Sequence, residues 1–163
     1  MKTILFMRHA KSDWGPQYSS DFERPLNARG QRDAPAMAAF LAQRGLLPEH
    51  IVSSPAARAR LTAEFFAHED SFSGRLEFDR RIYLASPNML LAVIRDLPEG
   101  VERAMLVGHN PGLEDVIEVL CGGNVRMPTA AIASLRLYAD IWREVGARDA
   151  HLQWLIKPKL LRT

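Results

Sequence analysis

The sequence predicts an α/β layered domain around a largely parallel sheet. Apolar runs of strand length alternate with stretches whose apolar residues recur at helical spacing, the mark of strand–helix units. Two of those runs end at a histidine, Phe6-Met7-Arg8-His9 near the N-terminus and Val107-Gly108-His109 far downstream. Ligands of such sheets sit beyond the carboxyl ends of the strands, so both histidines fall where a site is expected.

Thr3–Met7 is the first apolar run and reads as a strand. Met37, Phe40 and Leu41 then recur at helical spacing, with Pro35 either starting that helix or kinking it. A shorter run near Ile51–Ser53 is a second strand, and Ala57, Leu61 and Phe65 line one face of the helix after it. Leu90, Leu91 and Ile94 mark a third helix, Ala104–Val107 a strand, and Leu113, Val116, Ile117 and Leu120 a fourth helix. Ala130–Tyr138 and Leu152–Ile156 complete the strands. Ser54-Pro55 and Asn110-Pro111 each offer an N-cap side chain followed by proline at the first helical position. Helix N-termini carry unpaired N–H groups and partial positive charge, so both are suited to facing a phosphate.

A chain of 163 residues is expected to form a single domain, residues 1–163, with a proper core. No apolar run approaches the ~20 residues of a membrane span. The N-terminus meets Lys2 and Arg8 too soon for a signal peptide. A cytoplasmic address, no membrane partner and a monomer are therefore the expectations. The lone Cys121 excludes an intrachain disulfide and, in the run Val119-Leu120-Cys121, reads as buried packing. A net charge of +2 is too small to argue for nucleic acid. Its distribution says more: residues 1–60 carry nine Lys/Arg against five Asp/Glu, and the remainder is net negative. That excess suits an anionic substrate.

Phosphoryl transfer through histidine uses these parts. A neutral imidazole is a good nucleophile near pH 7, and arginine offers a planar fork of donors that matches phosphate oxygens. With a phosphomonoester or phosphoramidate held among Arg8, Arg58 and His109, His9 attacks phosphorus in line and water then hydrolyses the phosphohistidine. The arginines and His109 neutralise the charge, so no metal and no cofactor are expected. No His-x-x-x-His pair or Cys cluster favours a metallohydrolase. His50, His68 and His151 lie outside these motifs and are read as surface or packing residues.

Several further stretches complete a pattern: Met7-Arg8-His9-Ala10-Lys11-Ser12-Asp13-Trp14, Asp21-Phe22-Glu23-Arg24-Pro25-Leu26-Asn27-Ala28-Arg29-Gly30, Ser53-Ser54-Pro55-Ala56-Ala57-Arg58-Ala59-Arg60-Leu61-Thr62-Ala63-Glu64, Val107-Gly108-His109-Asn110-Pro111-Gly112 and Lys157-Pro158-Lys159. Together they resemble the histidine phosphatase (phosphoglycerate-mutase-like) superfamily, and more narrowly its short branch of phosphohistidine phosphatases. The resemblance runs nearly end to end. It implies a three-layer α/β/α sandwich with a mostly parallel central sheet. It also implies His9 as the phosphate-accepting nucleophile, with Arg8, Arg58 and His109 completing the pocket and Arg24 as an outer phosphate contact. Lys11 and Ser12 either line the entrance or cap the loop, and Asn110 is counted with them as substrate-binding. Trp14 is either a substrate-side aromatic or a packed lid.

One departure stands out. Relatives acting on alcohol esters supply a carboxylic acid to the leaving oxygen, after the second histidine or on an inserted segment. Here Asn110 follows His109, and the insertion is lacking. Asp13, Asp21, Glu23 and Asp79 are the remaining candidates. Imidazole leaves without much acid help, so the expected substrate is a protein phosphohistidine. The alternatives are small phosphate esters, including mutase chemistry on them, or a non-catalytic module that binds phosphate or a phosphoprotein.

Overall fold

Strands buried on both faces need continuous apolar runs, and the two clearest runs form the middle of the sheet in the computed structural model, which describes residues 1–162. In chain order the elements are β1 (Thr3–Arg8), α1 (Ala28–Gln43), β2 (His50–Ser53), α2 (Ala57–Ala67), β3 (Arg75–Phe78), α3 (Pro87–Arg95), β4 (Arg103–Gly108), α4 (Gly112–Cys121), β5 (Ile132–Leu137) and β6 (Ala150–Ile156). The spatial order is β3-β2-β4-β1-β5-β6. The first four strands are parallel, while β5 pairs antiparallel with β1 and β6 antiparallel with β5, so β5 alone is reversed.

Alternation along the strands divides the core in two. Ile4 and Phe6 of β1 join Ala104 and Leu106 of β4 beneath α3 and α4, which contribute Leu90, Ile94, Leu113 and Ile117. Leu5 and Met7 face the other way, with Met105 and Val107, against Met37 and Leu41 of α1 and Ala59, Ala63 and Phe66 of α2. The chain is thus a three-layer α/β/α sandwich, as expected.

The differences from the sequence reading are local. β3 escapes it, because this edge strand is largely exposed and its alternation, Leu76 and Phe78, spans only four residues. On α2 the buried stripe is Arg58, Ala59, Thr62, Ala63 and Phe66, not Ala57, Leu61 and Phe65. Small side chains let that helix lie close to the sheet, and Arg58 is buried because it reaches the site. α1 begins at Ala28, where Asn27 accepts the Gly30 N–H at 3.0 Å, so Pro35 is interior to the helix and does not start it. Neither proline cap forms as expected. α2 is capped by Ala56 without a side-chain bond, and α4 by Pro111. Cys121 is half-buried, since it sits at the end of α4 rather than in its apolar stripe.

Gly30 fixes the loop that follows β1. A Cβ there would stand 2.2 Å from the Lys11 carbonyl oxygen, so only glycine lets α1 approach that backbone. The Asn27 N–H donates to the same carbonyl at 3.0 Å.

Candidate active site

Parallel pairing brings the two histidines together. Arg8 of β1 lies opposite Gly108 of β4, so the next residue of each strand leaves the sheet beside the other. The His9 and His109 ring centroids are 5.2 Å apart. β2 flanks β4 on its other side with Ser53 opposite Val107, which delivers Ser54 and the first turn of α2 to the same end. Arg58 sits on that turn, buried.

The cavity at these strand ends has a volume of about 210 Å³. Arg8, His9, Arg58 and His109 line it together with Lys11, Ser12, Arg24 and Asn110, so all the residues expected to act in catalysis or substrate binding meet there. Trp14 and Thr129 complete the wall. A larger cavity of about 360 Å³ lies between α1 and the C-terminal turn, but the Asp33–Arg162 ion pair at 2.8 Å occupies its lining and no histidine reaches it.

Each imidazole has a defined orientation. His9 Nδ1 lies 2.7 Å from the Ala10 carbonyl oxygen, which can only accept. Nδ1 therefore carries the ring proton and Nε2 keeps a free lone pair. Burial, reinforced by His109, Arg58 and Arg8 and opposed by the Ala10 carbonyl, pushes the His9 pKa down to about 3. His109 Nε2 lies 2.8 Å from Ser54 Oγ, which already accepts the Ala56 N–H at 3.2 Å. Donation from the Ser54 hydroxyl to Nε2 satisfies all three groups and leaves the proton of His109 on Nδ1. Burial, then Arg58, Arg8 and Arg24, outweighs Asp21 and lowers this ring's pKa to about 4. Both rings are neutral at pH 7.

The cations are held from behind. Arg8 donates Nη1–H to the Met127 carbonyl at 3.2 Å. Arg58 donates to the Asp21 backbone carbonyl at 2.8 Å and to its carboxylate at 3.0 Å. Arg24 donates to Ser12 Oγ, to the Asp13 carbonyl and to Asp21, and its guanidinium stacks 3.4 Å over the Trp14 ring. After these bonds, Arg8 Nε, Arg58 Nε and His109 Nδ1 are buried without a partner. Native structures leave few such donors, each costing about 1–3 kcal/mol. All three belong to residues that line one cavity, whose cationic and donor side chains suit an oxyanion.

None of the four carboxylic-acid candidates lines the cavity. Burial would raise the Asp21 pKa, but bonds from Tyr83, Arg58 and Arg24 hold it to about 2. Asp79 is bound to Arg81, which lowers its pKa despite burial. Asp13 accepts from Tyr18 and from the Trp14 N–H, and Glu23 accepts from Ser19. Asn110, expected as a cap, instead donates its amide to Met127 O at 2.9 Å and Glu114 at 3.2 Å. Trp14 is two-thirds exposed at the rim, so it is no packed lid.

Four residues escape the sequence reading. Ser54 looks like a cap and orients His109. Thr62 accepts the Ala10 N–H at 3.0 Å and donates to the Arg58 carbonyl at 2.7 Å, joining the two halves of the site. Thr129 carries no signal at all. Tyr83 meets the His109 ring edge-on at 5.5 Å and donates its hydroxyl to Asp21 at 2.8 Å.

Comparison with known proteins gives a consistent picture. Residues 4–81 match the model of the histidine phosphatase superfamily (branch 1). The uncharacterized protein Rv1276c of Mycobacterium tuberculosis is 32% identical, covering 85% of this chain and 91% of its own length. An uncharacterized chloroplastic protein of Arabidopsis thaliana is 27% identical over 96% of this chain and 76% of its own. Among solved structures, a proposed phosphohistidine phosphatase SixA from Agrobacterium tumefaciens superposes with a TM-score of 0.80 at 28% identity, covering 96% of this chain and 98% of that one. The protein histidine phosphatase SixA complexed with tungstate gives 0.83 at 24% identity, over 98% and 99% of the two chains, a likeness of fold.

Proposed function

This chain belongs to the histidine phosphatase superfamily, in the short branch of the SixA phosphohistidine phosphatases, and on that premise we propose that it hydrolyses protein phosphohistidine through an intermediate on His9. The observation that carries the reading is the set of buried, unpartnered donors on Arg8, Arg58 and His109 around a histidine whose Nε2 lone pair is free.

The terminal phosphoryl oxygens accept from the two guanidinium groups and from His109 Nδ1–H. His9 Nε2 attacks phosphorus, a P–N bond forms, and the bond to the leaving group breaks with its electron pair going to the leaving nitrogen. That nitrogen takes its proton from water. A water molecule then attacks phosphorus, the P–N bond breaks with its electron pair returning to His9 Nε2, and the proton that this water sheds neutralises the hydroxide left by the first step, giving orthophosphate and neutral His9. Charge that moves onto the phosphoryl oxygens in each step meets fixed donors, so no metal ion is required.

The choice of a phosphoramidate rests on the carboxylates. Asp21 is held ionised, Asp79 is bound to Arg81, and an amide follows His109. An imidazole leaving group tolerates that environment far better than an alkoxide.

The test compares a phosphohistidine protein, an aryl phosphate and a panel of small alkyl phosphates, in chelator. We expect turnover of the first two, little of the third, and an acid-labile, alkali-stable phosphoenzyme on rapid quenching. His9→Ala should abolish both turnover and label. Undiminished turnover in His9→Ala, or binding without turnover across all substrates, refutes hydrolysis through His9. Preference for alkyl esters refutes the substrate class.

A further inference from the structure

Glu114 is an anion beside a site built for anions, and the proposed chemistry gives it no task. It lies on the first turn of α4, four-fifths buried. Its Oε2 accepts the Met127 N–H at 2.7 Å and an Asn110 amide hydrogen at 3.2 Å. The Met127 carbonyl in turn accepts from Arg8 Nη1 at 3.2 Å and from Asn110 Nδ2 at 2.9 Å. One carboxylate therefore anchors the residue whose carbonyl orients Arg8, and fixes the Asn110 amide with its nitrogen toward the protein.

We infer that Glu114 is a positioning residue: through Met127 it holds the Arg8 guanidinium, and through Asn110 it fixes the amide that follows His109. This inference rests on the anion-site reading of Arg8, Arg58 and His109. With its nitrogen committed to two acceptors, Asn110 Oδ1 is buried and has no partner. The Arg126 guanidinium approaches Glu114 only to 3.8 Å and is exposed, so it is not what the carboxylate is built around.

The sign of one substitution separates positioning from bare charge. By Coulomb's law alone, removing a negative charge near the cavity should tighten phosphate binding. If Glu114 acts by holding Arg8, removing it weakens binding. Glu114→Gln can keep both bonds through its one oxygen, placing its amide nitrogen toward Arg126 and losing the charge, whereas Glu114→Ala loses both bonds.

The experiment measures inorganic phosphate binding by calorimetry, and kcat and KM on an aryl phosphate, for the wild type, Glu114→Gln, Glu114→Ala, Arg8→Ala and the double variant with Arg8→Ala. Thermal melts show what fraction of each is folded. We expect phosphate binding to weaken roughly tenfold or more in Glu114→Ala, as for a lost bond to a charged group, and less in Glu114→Gln. In the Arg8→Ala background the Glu114 substitution should change binding less than about twofold, because the two act as one unit. Equal or tighter binding in folded Glu114→Ala, or effects that simply add, overturns the inference while leaving the anion site standing. Failure of the wild type to bind phosphate overturns the anion site and Glu114's role with it.

Discussion

Asp21 grips Arg58 twice: its backbone carbonyl accepts one terminal nitrogen at 2.8 Å and its carboxylate the other at 3.0 Å. The same carboxylate takes Arg24 and the Tyr83 hydroxyl. A carboxylate pinned this way cannot donate a proton near neutral pH. Asp21→Asn should therefore slow hydrolysis of aryl and alkyl phosphates by the same factor, roughly tenfold for a loosened charged bond. A general acid would show a larger loss on the poorer leaving group, which a leaving-group series of phosphate esters would reveal.

Ser54 sets the tautomer of His109. Ser54→Ala removes the donor to Nε2 and frees the proton to sit on either nitrogen. About a tenfold fall in kcat/KM on an aryl phosphate is expected, with a smaller fall for Ser54→Thr, which keeps a hydroxyl. Equal activity in the alanine variant would mean the hydroxyl has no part in orienting the ring.

The depressed histidine pKa values make stability depend on pH. Unfolded, each ring titrates near ~6.5, whereas folded they protonate only near about 3 for His9 and about 4 for His109. Between those values the unfolded chain binds more protons, so the contribution present above ~6.5 is lost as pH falls toward 4 and then 3. The slope approaches ~1.4 kcal/mol per pH unit for each ring. Urea melts between pH 7 and 5 should show it, and His109→Asn should flatten it by about half.

Gly30→Ala drives a methyl group into the Lys11 carbonyl. Overpacking of this kind costs about 1–3 kcal/mol, and here it displaces the loop that carries Lys11 and Ser12. A lowered midpoint in urea together with weaker phosphate binding is expected. A loss of stability with unchanged binding would show that the loop does not shape the cavity.

The pattern of what could be read from the sequence has physical reasons. β1 and β4 are legible because burial on both faces demands unbroken apolar runs, and His9 and His109 are legible because they end those runs. β3 is silent because its alternation of Leu76 and Phe78 with charged residues spans only four positions on an exposed edge. The stripe on α2 is displaced because Ala59, Thr62 and Ala63 pack by smallness, not by hydrophobicity. Ser54, Thr62 and Tyr83 act through neighbours brought from 52 to 62 residues away, and Glu114 through Met127, 13 positions on in a turn that exists only in the folded chain. Asp21 could be seen as a carboxylate near the site, but not which groups it would bind.

The site stands over β2, β4 and β1, the interior of a sheet whose margins are β3 and β6. Amide protons at those margins can exchange with solvent through fraying that never reaches the histidines, whereas disturbing β4 separates every partner at once. Activity should then survive partial denaturation of the rim and vanish in a single step with the centre, so that turnover itself serves as a gauge of whether the middle of the molecule is intact.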